Sequence, residues 1–204
     1  MMTALWRAGA PLVLASRSRA RQDLLAAARI PFEARAAAID ERAIEAELVA
    51  SGAGASEVAL HLSRAKASKV SAEMRGRLVI GADQVLCVEG QLFGKAADRA
   101  AAMRQLQTLS GRTHELHSGC CAARDKRIVF EIVSVARLSC RQLSHDLIET
   151  YLCETGGLDS AGTYRVEGLG IHLFDAIEGD HWTILGLPLI PLLKFLREEG
   201  SLLS

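Results

Sequence analysis

An uninterrupted apolar run that leads directly to an aspartate lies near the middle of this chain. The run Leu78-Val79-Ile80 follows charged residues and continues as Gly81-Ala82-Asp83. Its length and its polar borders predict a buried strand of a sheet. Because open α/β sheets bind ligands at strand ends, Asp83 is a candidate catalytic residue. The alternative is an aspartate that ends the strand by accepting hydrogen bonds from nearby backbone N–H groups.

Cationic and hydroxyl side chains in three other segments fit the chemistry of a phosphate ester and a metal ion. Lys66 lies on a helical pattern before the apolar run, and Lys95 follows it in Phe93-Gly94-Lys95. The segment Ser16-Arg17-Ser18-Arg19-Ala20-Arg21 stands before a predicted helix, where free N–H groups form an anion site. The alternatives are an ordinary capped helix with solvated arginines, and a surface lysine that buries only its stem.

Length and composition predict one domain over residues 1–204, with room for two lobes. Half of the residues are hydrophobic but only 4% are aromatic, so the core must be aliphatic. Lys+Arg and Asp+Glu are both 24, and this balance gives no global field for nucleic acid or an anionic membrane. The five cysteines lack C-x-x-C spacing and are expected to be reduced core residues of a cytoplasmic protein. No apolar stretch reaches membrane-spanning length.

The order of the predicted elements indicates a mixed α/β fold without strict alternation or internal repeat. Helix caps are expected at Ser16 or Ser18, at Asp98 and at Ser144. The other predicted elements are a strand at Pro11–Ala15, a strand at Phe32–Ile39 that ends at Asp40-Glu41, a helix from Ser56 to Lys69, a hairpin turn at Glu89-Gly90, a long hairpin of Thr113–Ala123 and Ile128–Leu138, and a helix at Leu189–Leu196.

Two patterns resemble ligand motifs but are not expected to bind those ligands. His114-Glu115-Leu116-His117 has H-x-x-H spacing on a predicted strand, where the two imidazoles would point to opposite faces, so it does not predict a zinc site. Glu167-Gly168-Leu169-Gly170 is followed by no helical pattern and is not a dinucleotide fingerprint. It is interpreted as the entry to a strand.

Six ordered blocks between Leu14 and Gly200 resemble the signatures of the Maf family of nucleoside triphosphate pyrophosphatases, also described as septum-formation-inhibitor-like proteins. The blocks are Leu14–Leu25, Asp40-Glu41, Ile80–Val85 with Phe93-Gly94-Lys95, Leu109–His114, Ala161–Tyr164 and Gly186–Leu189. Their order and spacing make a more specific signal than any single block.

This resemblance implies both a fold and a reaction. The expected fold is inosine-triphosphatase-like: an elongated mixed β-sheet flanked by helices, with two lobes around a cleft. Such proteins cleave a nucleoside triphosphate between the α- and β-phosphates and release a nucleoside monophosphate and pyrophosphate. They use a divalent cation, Mg²⁺ or Mn²⁺, and can form homodimers.

The resemblance also assigns roles by position. Asp83 would accept a proton from the attacking water and contact the metal, and Glu41 would hold or orient the metal. The triphosphate would be bound by Ser16, Ser18, Arg21, Lys66 and Lys95. These residue types suit the reaction, because water cannot attack a polyanion until cations neutralise its oxygens, and Mg²⁺ needs only one or two protein carboxylates.

Three positions bear on the choice of base. Gln84 and Glu167 resemble the subgroup that prefers 7-methyl-GTP, whereas another subgroup prefers dTTP and UTP. A carboxylate such as Glu167 can accept hydrogen bonds from a guanine edge. Ala20 stands where that subgroup has Trp, and Trp182 is a candidate replacement for stacking on the cationic base.

Two other classes of function compete with an enzyme. A nucleotide-binding regulator of septation or cell division needs cations but hardly needs a general base. The presence of Asp83 and Glu41 together with Lys66 and Lys95 therefore favours the enzyme. A nucleic-acid-binding module is disfavoured by the neutral charge balance and the few aromatic residues.

Overall fold

The computed structural model of the protein describes residues 4–156 and 160–204. Its strands are β1 (Leu12–Leu14), β2 (Phe32–Ala34), β3 (Val79–Val88), β4 (Gln91–Phe93), β5 (Thr113–Arg124), β6 (Arg127–Cys140) and β7 (Phe174–Glu178). Its α-helices are α1 (Arg19–Ala27), α2 (Glu41–Ala50), α3 (Ala55–Ser71), α4 (Arg99–Leu109), α5 (His145–Thr155), α6 (His181–Ile184) and α7 (Leu189–Glu198). A 3-10 helix covers Leu169–Leu173.

The described strands form one mixed sheet, which confirms the expected fold class. The strand order is β2-β1-β3-β5-β6-β7, and β4 pairs with β3. β1 is parallel to both β2 and β3, whereas β4 and β7 are antiparallel to their partners β3 and β6.

The apolar run is the beginning of a much longer strand than its sequence predicts. β3 continues through Asp83 to Val88, so the aspartate lies within the strand and not at its end. Val85 and Leu86 are buried, and β4 pairs with the second half of the strand. The pairing with β4 and the burial of Val85 and Leu86 explain why the strand continues past the polar residue Asp83.

Residue contacts divide the chain into two compact units. The first unit comprises Met1–Asp83, Ser118–Ser134 and His181–Ser204, and the second comprises Gln84–His117 and Val135–Asp180. The first unit has an aliphatic core, as the composition predicts; its buried members include Leu12, Leu14, Leu25, Ile80, Leu192 and Leu196. The second unit contains a cluster of the aromatic rings of His114, Tyr164 and Phe174.

Local sequence signals locate the helix caps and the hairpins correctly. The hydroxyl of Ser18 and the carboxylate of Asp98 each accept a hydrogen bond from a backbone N–H of the first helical turn, and Ser144 does the same for α5. Asp125 and Lys126 join β5 to β6 with φ angles of 50° and 66°, as a tight hairpin turn requires.

Two strand boundaries differ from the prediction. β2 ends at Ala34 and not at Ile39, because its partner β1 is only three residues long and offers no further pairing. The segment after Glu167 forms the 3-10 helix before β7 begins at Phe174, so it is not a direct strand entry.

The cysteines are all free, and three of them meet the expectation of core burial. Cys120, Cys121 and Cys140 are buried, Cys87 is half-buried, and Cys153 is exposed on α5, where the core prediction is wrong. Within the described ranges, no helix combines the length and the apolar character that crossing a membrane would demand.

Candidate functional site

Helix α3 lies unusually close to strand β3 at Gly81. A Cβ at this position would lie 2.7 Å from the amide nitrogen of Ala67 and closer still to the carbonyl oxygen of Ser63. Only glycine permits this approach, since both neighbours are backbone atoms. Lys66 is on the same stretch of α3, and Asp83 is two residues beyond Gly81 on the same face of the strand.

This close approach brings Lys66 and Asp83 into a buried ion pair. The Lys66 ammonium donates to Asp83 Oδ1 at 2.5 Å, and it also lies 2.8 Å from Glu41 Oε2. Lys66 is 6% exposed and Asp83 is 8% exposed. The surface-lysine interpretation of Lys66 is therefore wrong, and three of the predicted site residues are in direct contact.

The hydroxyl- and arginine-rich segment caps α1 and also orients an arginine. Ser18 Oγ accepts a hydrogen bond from the backbone N–H of Arg21. Ser16 Oγ accepts from the backbone N–H of Ser18 at 3.2 Å and from Arg21 Nη1 at 3.2 Å. Ser16 and Arg21 are buried, whereas Arg17 and Arg19 are exposed. The solvated-arginine interpretation holds for Arg17 and Arg19 only.

The Arg21 guanidinium also connects α1 to two other parts of the first unit. Its Nε donates to the carbonyl oxygen of Gly186 at 2.7 Å, and Nη1 donates to that of Ala82 at 2.9 Å. Burial lowers the pKa of Arg21, and the negative charges of Asp83 and Glu41 oppose that shift. An arginine has five N–H donors, so Nη2 keeps donors for an anion beyond these bonds.

Two members of this site are missed by the sequence reasoning. The Gly186 carbonyl is a structural acceptor for Arg21, although its block serves only as a family marker in the sequence. Glu45 is one helical turn after Glu41, and its pKa is raised by burial and by the charges of Asp83 and Glu41. The (i, i+4) spacing of the two glutamates is the one sequence signal that they would share a face if this segment were helical.

The carboxylates fit a divalent cation that is completed by its substrate. Glu41 and Asp83 are both in contact with one positive charge, the Lys66 ammonium, so their oxygens converge on a cationic position. The described residues contain no group of three or more His, Cys, Asp or Glu side chains that could hold a metal ion alone. Mg²⁺ is usually bound in this sparse way, by one or two carboxylates together with water and phosphate oxygens.

The remaining predicted residues have separate environments. Lys95 is exposed in the second unit, and its backbone forms an antiparallel bridge with Ala161. Gln84 is half-buried on β3, and Glu167 is exposed before the 3-10 helix. In the first unit, Ala20 is half-buried on α1, and Trp182 on α6 is 37% exposed.

Comparison with known proteins gives one consistent family. Residues 11–199 match the family described as Maf-like protein. A nucleoside triphosphate pyrophosphatase of Nitrobacter winogradskyi is 55% identical over 201 residues, with 98% of each chain covered. A protein of the same description from Bradyrhizobium diazoefficiens is 53% identical, with 96% of each chain covered. A 7-methyl-GTP pyrophosphatase of Rhizobium meliloti is 47% identical over 94% of this chain and 97% of its own. The chain belongs to the Maf-like protein family.

Proposed function

We propose that this chain, a nucleoside triphosphate pyrophosphatase, hydrolyses the α–β phosphate bond of 7-methyl-GTP and releases 7-methyl-GMP and pyrophosphate. Relatives that cover nearly the whole chain carry the name of the general activity. The observation that carries the mechanism is the buried Lys66–Asp83 pair with Glu41 beside it. A carboxylate and a cation held together in this way supply a base and a phosphate ligand within a few ångströms.

Asp83 acts as the proton acceptor. Lys66 contacts Oδ1, which leaves Oδ2 to accept a proton from a water molecule. General bases of this kind typically accelerate a reaction by about 10²–10⁴-fold. In the same proposal, the Lys66 ammonium contacts a phosphate oxygen of the bound substrate.

Cations and hydroxyls bind the phosphates in this proposal. Arg21 offers Nη2, and Ser16 and Ser18, which are hydrogen-bonded to Arg21, offer hydroxyl groups. Lys95 supplies a further ammonium in this proposal. Arg21 is already fixed by three hydrogen bonds, so it loses little freedom when it binds an anion. Neutralised phosphate oxygens allow the approach of a nucleophile.

Glu41 and Asp83 would hold the divalent cation. When bound, such a cation neutralises phosphoryl oxygens and lowers the pKa of a coordinated water. Removing the metal with a chelator should abolish turnover, and adding back Mg²⁺ or Mn²⁺ should restore it.

The proposed base preference depends on Glu167, Gln84 and one relative. The Rhizobium meliloti relative is named a 7-methyl-GTP pyrophosphatase. Glu167 is exposed, as a residue that meets a guanine edge must be before substrate binds. Ala20 in place of the subgroup tryptophan favours the second candidate, a dTTP and UTP pyrophosphatase. Trp182 is exposed and can supply the missing stacking surface for a cationic base.

Pyrophosphate release from 7-methyl-GTP, GTP, dTTP, UTP and CTP tests the proposal. Asp83→Asn should abolish turnover and retain nucleotide binding, whereas the exposed Asp23→Asn serves as a matched control with full activity. Glu167→Ala should relax the choice of base more than it slows the best substrate. A maximum on pyrimidines would refute the base assignment. Binding without turnover of any nucleotide would favour a regulator of septation.

Homodimer formation and a cytoplasmic location remain predictions. Sedimentation equilibrium over a range of protein concentrations would test the first, and cell fractionation would test the second.

A further inference from the structure

From the second unit, we infer that a buried hydrogen bond between His114 and Tyr164 positions Lys95 for phosphate binding. The connection runs through the backbone of Ala161, which pairs with that of Lys95. The inference rests on the proposed function for the phosphate-binding role of Lys95. His114 and Tyr164 are positioning residues in this account, because neither touches the substrate.

The backbone of Lys95 is supported from two directions. The Gln105 side-chain amide on α4 donates to the carbonyl oxygen of Gly94 at 3.0 Å. Ala161 forms an isolated antiparallel bridge with Lys95 itself. The Lys95 side chain is exposed, so nothing in its own packing fixes its direction. The backbone contacts made by Gln105 and Ala161 therefore set the position from which the Lys95 side chain extends.

The turn that carries Ala161 is tightly constrained. Gly162 has φ = 74° and Thr163 has φ = 62°, a conformation that costs free energy for a β-branched residue. A Cβ on Gly162 would lie 2.5 Å from Leu86 Cδ1 and 2.6 Å from Tyr164 Cε1. Thr163 is fully buried. Such a turn persists only where its surroundings enforce it.

The enforcing contact at the end of the turn is the pair of His114 and Tyr164. His114 Nε2 lies 2.6 Å from the Tyr164 hydroxyl oxygen, and the Phe174 ring packs edge-on against Tyr164 with centroids 4.8 Å apart. His114 is on β5, so the tyrosine is attached to the sheet. The turn is thus held by the sheet at Tyr164 and presents Ala161 to Lys95.

Burying the polar groups of His114 and Tyr164 costs folding free energy. Burial lowers the pKa of His114 to about 4 and raises that of Tyr164, so both are neutral near pH 7. His114 Nδ1 is buried and has no hydrogen-bond partner among the described residues. An apolar pair at these two positions would leave no buried group without a hydrogen-bond partner. We attribute the polar pair to a requirement for a fixed position of the turn.

A double-mutant cycle on Tyr164 and Lys95 tests the inference. The measured quantity is the affinity for inorganic pyrophosphate in the presence of Mg²⁺, determined by calorimetry. Tyr164→Phe removes only the hydroxyl and should weaken binding about fivefold, the range expected for one hydrogen bond. In a Lys95→Ala background the same change should have no further effect, because the group that it positions is gone. His114→Gln keeps a polar partner for the hydroxyl and should bind within about twofold of the unsubstituted protein.

Controls separate positioning from general stability. Ser139→Ala removes an exposed hydroxyl bond to Thr113 in the same unit and should not alter binding. Should Tyr164→Phe not fold, His114→Leu enters the same cycle in its place. Equal weakening with and without Lys95, unchanged binding in the Tyr164 variant, or no pyrophosphate binding at all would overturn the inference. Intact binding without turnover of any nucleotide would instead contradict the proposed function alone.

Discussion

Replacing Gly81 with alanine tests whether the close approach of α3 to β3 sets the geometry of the Lys66–Asp83 pair. The added Cβ would lie 2.7 Å from the Ala67 nitrogen and 3.0 Å from the Ala67 Cβ, and closer still to the Ser63 carbonyl oxygen. Since carbon and oxygen atoms rest about 3.3–3.6 Å apart, α3 must move away from β3 by about 1 Å. No rotation of a side chain relieves a clash with backbone atoms.

A displacement of this size should reduce both stability and turnover. Overpacking a core costs about 1–3 kcal/mol in the free energy of unfolding. Lys66 precedes Ala67 directly, so its ammonium moves with the helix and away from Asp83. A misplacement of about 1 Å can cost about a hundredfold in rate. Pyrophosphate release should therefore show that loss in kcat, and urea denaturation should show about 2 kcal/mol less stability.

Two other glycines provide the controls. Gly9→Ala meets nothing within 4 Å and should change neither quantity. Gly119→Ala places its Cβ 2.6 Å from the Ala59 carbonyl carbon, near the start of α3 and farther along the helix from Lys66. It should lose similar stability but much less activity. Equal activity losses at Gly81 and Gly119, or an unchanged Gly81→Ala enzyme, would refute the reasoning.

Three further predictions follow from the electrostatics of the chain. Glu45→Gln removes a negative charge near the carboxylates of Glu41 and Asp83. In a titration of activity against Mg²⁺, the concentration for half-maximal activity should rise about threefold, and kcat at saturating Mg²⁺ should be retained. Because the pKa of His114 is about 4 when folded and its ordinary value is 6.5, the unfolded state binds more protons between these values, and about 3 kcal/mol of stability should be lost as pH falls from 6.5 to 4. Urea denaturation should show a smaller loss for His114→Gln. Exposed Cys153 should react first with a thiol reagent, whereas burial raises the pKa of Cys121 to about 12 and keeps it inert.

Sequence reasoning locates most of the elements, because caps, turns and motif blocks are local signals, and three of its candidate site residues are in contact in the first unit. It fails where pairing between segments that are distant in sequence determines where an element ends. The end of β2 depends on the length of β1, and the continuation of β3 past Asp83 depends on β4. The contact of Lys66 with Asp83 depends on Gly81, whose role only the position of α3 reveals. The charge of Glu45 is missed because its effect requires the packing of α2 against α3.

The buried Lys66–Asp83 pair is better explained by reaction than by stability. Burying two charges costs several kcal/mol per ion, and an apolar pair of similar volume is often at least as stable. Removing one partner is a different matter, since it leaves a buried charge and costs about 3–5 kcal/mol. In Asp83→Asn the ammonium keeps Glu41 at 2.8 Å, so the variant should remain folded. Asp83 is also a proposed metal ligand, so loss of turnover assigns the defect to proton transfer only when both Tm and the binding of Mg²⁺ with pyrophosphate are unchanged. Lys66→Met should lose turnover to the same extent. The double variant Lys66→Met and Asp83→Leu should regain stability but not activity. These two results together would show that the chain retains the pair for its chemistry.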